Sequence, residues 1–103
     1  MSESIIEIEG RLESTSVPGF ARRLSDASVV GNERLLIDLS RVSFIGSAAL
    51  RAILVAAKRL TSSDGRLAIF APPQIAQVFF VSGLDAVLPV HQSLADAREA
   101  LVG

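Results

Sequence analysis

Residues 35–60 read LLIDLSRVSFIGSAALRAILVAAKRL, and no other stretch limits the fold of this chain as tightly. Leu35, Leu36 and Ile37 form an apolar run without polar alternation, which predicts a strand covered on both faces. After a short polar and apolar crossing the spacing turns helical from Ser47. Leu50, Ile53, Leu54, Ala57 and Leu60 then share one stripe, with Arg51, Lys58 and Arg59 outside it. A hydroxyl at a helix start either caps the backbone or marks a place where the chain tolerates phosphate. Spacing alone favours the cap for Ser47, and an exposed cap hydroxyl is compatible with both roles.

The flanking segments extend the same alternation of strand and helix. Ser4 to Glu9 sets Ile5, Ile6 and Ile8 among acidic residues, a strand with one wet face. Gly10-Arg11-Leu12 reads as a second short extended piece, so a hairpin-like segment with antiparallel pairing at one sheet edge is expected. Thr15, Ser16 and Pro18 open a helix that carries Phe20, Leu24 and Ala27. Gly31-Asn32 is a turn, and Asp64-Gly65 closes the central helix before a strand at Arg66 to Phe70. Pro72-Pro73 begins a short helix with Ile75, Val78 and Phe79, stopped by Gly83. Val87 to Val90 is a last strand. Ser93 and Asp96 have capping-box spacing at the head of a helix that buries Leu94, Ala97 and Leu101. The sum is one α/β domain over residues 1–103, with a four- to five-stranded mixed sheet and interleaved helices.

Composition removes several classes of function. The formal charge is -1 and the chain has no Trp or Tyr, so neither a polyanion-binding face nor a base-stacking platform is implied. Nucleic acid is not an expected partner. With no cysteine, disulfides, zinc thiolates and thiol catalysis are absent. Met1-Ser2-Glu3-Ser4 is unlike a signal peptide, and the longest apolar run of the central helix, Ala52 to Ala57, falls far short of the roughly 20 residues that cross a bilayer. A cytoplasmic protein without membrane insertion is expected.

Individual polar residues point away from catalysis. Asp38, at a strand end, has no base or second carboxylate at useful spacing; it either accepts loop N–H bonds near Ser40 or joins a partner surface. His91 is the only histidine and lacks ligand-type neighbours, so no metal site is expected. No glycine-rich phosphate loop appears, and no cofactor is implied. Phe44, just before the Ser47 loop, is expected in the core, with a docking patch as the other reading.

Three segments together resemble the STAS family, the domain of bacterial anti-sigma factor antagonists. They are Gly10-Arg11-Leu12-Glu13; Ile37-Asp38-Leu39-Ser40 with Val42, Phe44 and Ile45-Gly46-Ser47-Ala48-Ala49-Leu50; and Val78 through Asp85 on to Val90 and Ser93-Leu94-Ala95-Asp96-Ala97. Order, spacing and element type agree from about Ile5 to Leu101.

The resemblance implies a small non-catalytic switch. A GHKL-type serine kinase that doubles as an anti-sigma factor would phosphorylate Ser47. The unmodified domain would bind that kinase, and a PP2C-type phosphatase would reverse the modification. The family pattern at this loop reads Asp-Ser-Ser-Gly-Leu, where this chain has Gly46, Ser47, Ala48, Ala49 and Leu50. Ser47 carries over as acceptor, Ala48 removes the neighbouring hydroxyl, and Gly46 removes a carboxylate that a kinase could read. The implied contact surface comprises Asp38, Ser43, Phe44, Gly46, Ser47, Ala48, Arg51 and Lys58. A second class also follows from the resemblance: a STAS subunit of a lipid-transport ABC complex that binds its ATPase, where phosphorylation is irrelevant. A small-ligand or nucleotide-sensing domain is a third class, with no motif in its favour.

Overall fold

A computed structural model describes residues 2–27 and 33–102 of the chain. In order these are β1 (Ser2–Leu12), α1 (Val17–Ala27), β2 (Glu33–Ile45), α2 (Ser47–Ser62), β3 (Arg66–Phe70), α3 (Pro73–Val81), a 3-10 turn (Leu84–Ala86), β4 (Val90–His91) and α4 (Leu94–Val102). The turn expected at Gly31-Asn32 lies outside the described residues.

The four strands form one sheet in chain order, β1-β2-β3-β4, and every pair is parallel. The expected mixed sheet with an N-terminal hairpin is therefore corrected, and no fifth strand forms among the described residues. The reason lies at Gly10. It takes a φ of +86°, but it kinks the strand instead of reversing it. Gly10 opposes Val42 and Arg11 opposes Phe44, so Ser43 is the extra residue of a bulge and β1 runs on in the same direction.

Each β-α-β crossover steps the same way across this sheet. Right-handed connection then places α1, α2 and α3 on a single face. The main core agrees: Leu35 and Ile37 share it with Phe20 and Leu24 of α1, Ile53 and Leu60 of α2, and Ile75 and Phe79 of α3. The opposite face is covered by α4 alone, where Leu36 and Ala68 meet Ala97 and Leu101, with Phe70 at the margin. Leu35, Leu36 and Ile37 are all fully buried because neighbouring side chains point to opposite, covered faces. The lack of alternation in that run has this cause.

Three elements depart in detail from their sequence patterns: in α4 only Ala97 and Leu101 are buried, while Leu94, at the first turn, is 40 % exposed. The buried stripe of α2 is Ala49, Leu50, Ile53, Ala56 and Leu60, while Leu54 and Ala57 sit half-buried at its edge. Positions 49, 53, 56 and 60 repeat at four and three residues, so two alanines lie on the line of closest approach. The last strand is only Val90–His91, because the amides of Val87 and Leu88 turn back to the Leu84 carbonyl and Pro89 has no N–H. The predicted cap of α4 is present, with Ser93 Oγ accepting the Asp96 amide at 3.0 Å.

Candidate functional site

β2 is longer than its partner β3. Their pairing ends at Asp38 opposite Phe70, so among the described residues the only strand beside β2 from Leu39 to Ile45 is β1. Two irregularities shape this extension. At the first, Asp38 Oδ1 accepts the Ser40 amide at 2.9 Å, a local bond that occupies the half-buried carboxylate. At the second, the exposed Ser43 hydroxyl donates to the Gly10 carbonyl at 3.4 Å. The Gly46 amide then donates to the Leu12 carbonyl at 2.9 Å, the last tie between β1 and the approach to α2.

α2 starts at that point. Gly46 is the cap residue, with extended backbone (φ −95°, ψ 172°), and its carbonyl accepts the Ala49 and Leu50 amides at 3.1 and 3.2 Å. Ser47 is the first helical residue, and α2 has no side-chain cap bond. The cap reading of Ser47 is therefore set aside. Its side chain is exposed and makes no hydrogen bond to the described residues. The amides of Ser47 and Ala48 belong to the set that a helix start leaves without internal acceptors. Ala49, where the family pattern has glycine, is helical and fully buried.

Glycine is not demanded at position 46. A Cβ there would meet the Leu12 carbonyl oxygen and Phe44 Cε2 at 3.6 Å, ordinary contact distances. The carboxylate of the family pattern would thus fit, lying against the phenyl ring. In its absence the ring is open: Phe44 is 40 % exposed, which corrects its expected place in the core. The inward positions of this part of β2 are Val42 and Ile45, and the bulge at Ser43 turns Phe44 outward.

Arg11 covers one side of that ring and also bonds Glu13, a grouping that sequence reasoning missed because it depends on strand register. Ser16 holds the neighbouring loop by accepting the Glu13 amide at 3.0 Å and donating to the Arg11 carbonyl at 2.7 Å. Ser43, Phe44, Gly46, Ser47 and Ala48 therefore form one corner of the molecule, rimmed by Arg11. Arg51 lies one turn along α2. Lys58 is on the same side of the helix but about 16 Å from Ser47 along the axis. Asp38 is not brought to the corner; seven residues of strand place it roughly 20 Å from Ile45. Among the described residues no cluster of three metal-ligating side chains occurs, and no helix is long and apolar enough to cross a membrane.

Comparison with known proteins gives this arrangement a family. The STAS domain model matches residues 2–97. The chain belongs to the STAS domain family. Among curated relatives of this STAS chain is BtrV of Bordetella bronchiseptica, named an anti-sigma factor antagonist. The two are 32 % identical over 94 residues, covering 90 % of this chain and 78 % of BtrV. A crystal structure of an anti-sigma factor antagonist from Mycobacterium paratuberculosis superposes with a TM-score of 0.86 at 24 % identity, covering 98 % of this chain and 86 % of the other. The Bacillus cell fate determinant SpoIIAA in its phosphorylated form superposes with a TM-score of 0.68 at 22 % identity, covering 95 % and 89 %. At such identities the two structures speak for the STAS fold alone.

Proposed function

We propose that this chain is an anti-sigma factor antagonist of the phospho-switch type. It binds a GHKL-type serine kinase that also serves as an anti-sigma factor, and phosphorylation of Ser47 releases that partner. A PP2C-type phosphatase restores the binding form. The chain performs no reaction of its own in this scheme.

The observation that carries the reading is the state of the Ser47 hydroxyl: exposed, without a hydrogen bond to the described residues, and set at the first position of α2 beside the open Phe44 ring. A kinase can reach it, and its modification breaks nothing that holds the fold. Phosphate adds about 1.5 to 2 negative charges, which the free amides and dipole at a helix start accommodate. Helical side chains lean toward the N-terminus, so Arg51 stands where its guanidinium can approach that charge. For a covering partner the same dianion is costly, because it must be stripped of water inside a contact. The names of the relatives point the same way: BtrV is called an anti-sigma factor antagonist, and SpoIIAA is described in a phosphorylated form.

Calorimetry against the GHKL-type kinases encoded in the source genome tests this. Wild type and Ser47→Ala should bind one of them alike, and Ser47→Asp should bind it far more weakly while remaining folded. Equal affinity of the Asp and Ala variants rules the mechanism out.

A further inference from the structure

α1 and α2 lie side by side on the sheet, and between them runs an open groove of about 380 Å³. Its floor is apolar and made largely of small side chains: Ala21 and Leu24 from α1, and Ala52, Val55 and Ala56 from α2. Val55 is 51 % exposed, a branched apolar side chain left uncovered at the middle of the groove. Arg51 and Arg59 stand on either side of it along the helix, and the Arg59 guanidinium is steadied by the Ser25 hydroxyl at 3.1 Å.

The charge of these walls is one-sided. α2 contributes Arg51 and Arg59 to them, with Lys58 on the same helix but outside the groove; its 16 residues include no carboxylate, and no carboxylate lines the groove. Among the described residues none of these three cations is in an ion pair. The overall charge of -1 conceals this local cationic surface. Two copies of the chain meeting through this same face would bring cations against cations, which disfavours a symmetric dimer here. Eight helical residues separate Arg51 from Arg59, about 12 Å, which is close to two helical turns.

We propose that this groove receives an amphipathic helix of the partner protein, one that places an apolar side chain on Val55 and carboxylates two turns apart against Arg51 and Arg59. The inference rests on the reading that a kinase partner covers Ser47, and it deepens that reading by giving the partner's contact element a chemistry. The groove extends the docking surface from the Ser47 corner along α2. Phosphate at Ser47 then acts at one end of an acidic partner element, so repulsion adds to the cost of desolvation.

The test uses the GHKL-type kinases of the source genome, purified, with calorimetry against wild type, Ser47→Asp, Val55→Glu, Val55→Lys and Arg59→Glu. Circular dichroism checks each fold. Val55→Glu and Arg59→Glu should each weaken binding at least ten-fold. Val55→Glu and Val55→Lys spoil the apolar contact equally, so a loss several-fold greater for Glu than for Lys reports an acidic partner. Wild-type affinity for Val55→Glu and Arg59→Glu, or equal losses for the Glu and Lys variants, overturns the proposal even where Ser47→Asp still abolishes binding. Loss of affinity in the groove variants with Ser47→Asp unaffected leaves the groove standing and removes the switch. Failure of wild type to bind any of these kinases removes both. A wild-type dimer in sedimentation that Val55→Glu dissociates makes a second copy the occupant and overturns the proposal.

Discussion

The Arg11 guanidinium carbon lies 4.5 Å from the centre of the Phe44 ring, while its Nε bonds Glu13 Oε2 at 2.7 Å. The pair joins the ends of β1 and β2 on the rim next to Ser47. Both side chains are well exposed, so their mutual attraction contributes about 0.5–1 kcal/mol to the fold. Phe44→Ala should accordingly shift urea unfolding by about 1 kcal/mol or less. Its effect on binding of the proposed kinase partner should be larger, ten-fold or more in Kd, because aromatic residues buried at the centre of a contact dominate its energy. An unchanged Kd on calorimetry places Phe44 outside the contact.

Two serines at helix starts should respond differently to alanine. Ser93 accepts the Asp96 amide, and Ser93→Ala should lower stability by about 1 kcal/mol. Ser47 holds no such bond, and Ser47→Ala should stay within about 0.5 kcal/mol of wild type. Denaturant midpoints of the two variants, read side by side, decide whether Ser47 has a structural task.

Position 46 tolerates a side chain, because its backbone is extended and a Cβ makes only ordinary contacts. Gly46→Asp should supply the missing cap of α2 and raise stability by a few tenths of a kcal/mol, whereas Gly46→Ala should not. A loss of 1 kcal/mol or more in Gly46→Asp, measured by urea titration, contradicts the geometry described for this corner.

α4 is held by a small separate cluster, so its attachment should be the weakest part of the domain. Leu101→Ala removes one of the four buried residues of that cluster and should cost about 2–5 kcal/mol. Hydrogen exchange should then quicken in α4 while the amides around Ile53 in α2 keep their protection. Uniform loss of protection through both helices argues against separate units.

Much of this architecture can be read from residue patterns, and the exceptions share a cause. The double burial of Leu35 to Ile37, the helix beginning at Ser47 and the Ser93 cap are local in origin, and all appear in the structure. Sheet direction is not local: Gly10 has the same letter in a turn and in a bulge, and only its pairing with β2 shows which it is. Phe44 was misplaced for the same reason, since the bulge at Ser43 shifts the inward and outward alternation by one. Arg11 and Val55 owe their significance to neighbours 33 residues away in Phe44 and across a groove in α1, contacts that no window of sequence displays.

Past Asp38 the sheet thins to β1 and β2, which carry the Ser47 corner at their tips. Two-stranded ribbons twist and flex more readily than a full sheet. Here the ribbon is anchored instead: its inward residues Leu12, Leu39, Val42 and Ile45 sit in the same core as Leu35 and Ile37, so only its outer face and one flank are open. A corner seated in this way offers a covering protein a platform whose shape the fold sets in advance, which is what the proposed switch at Ser47 requires.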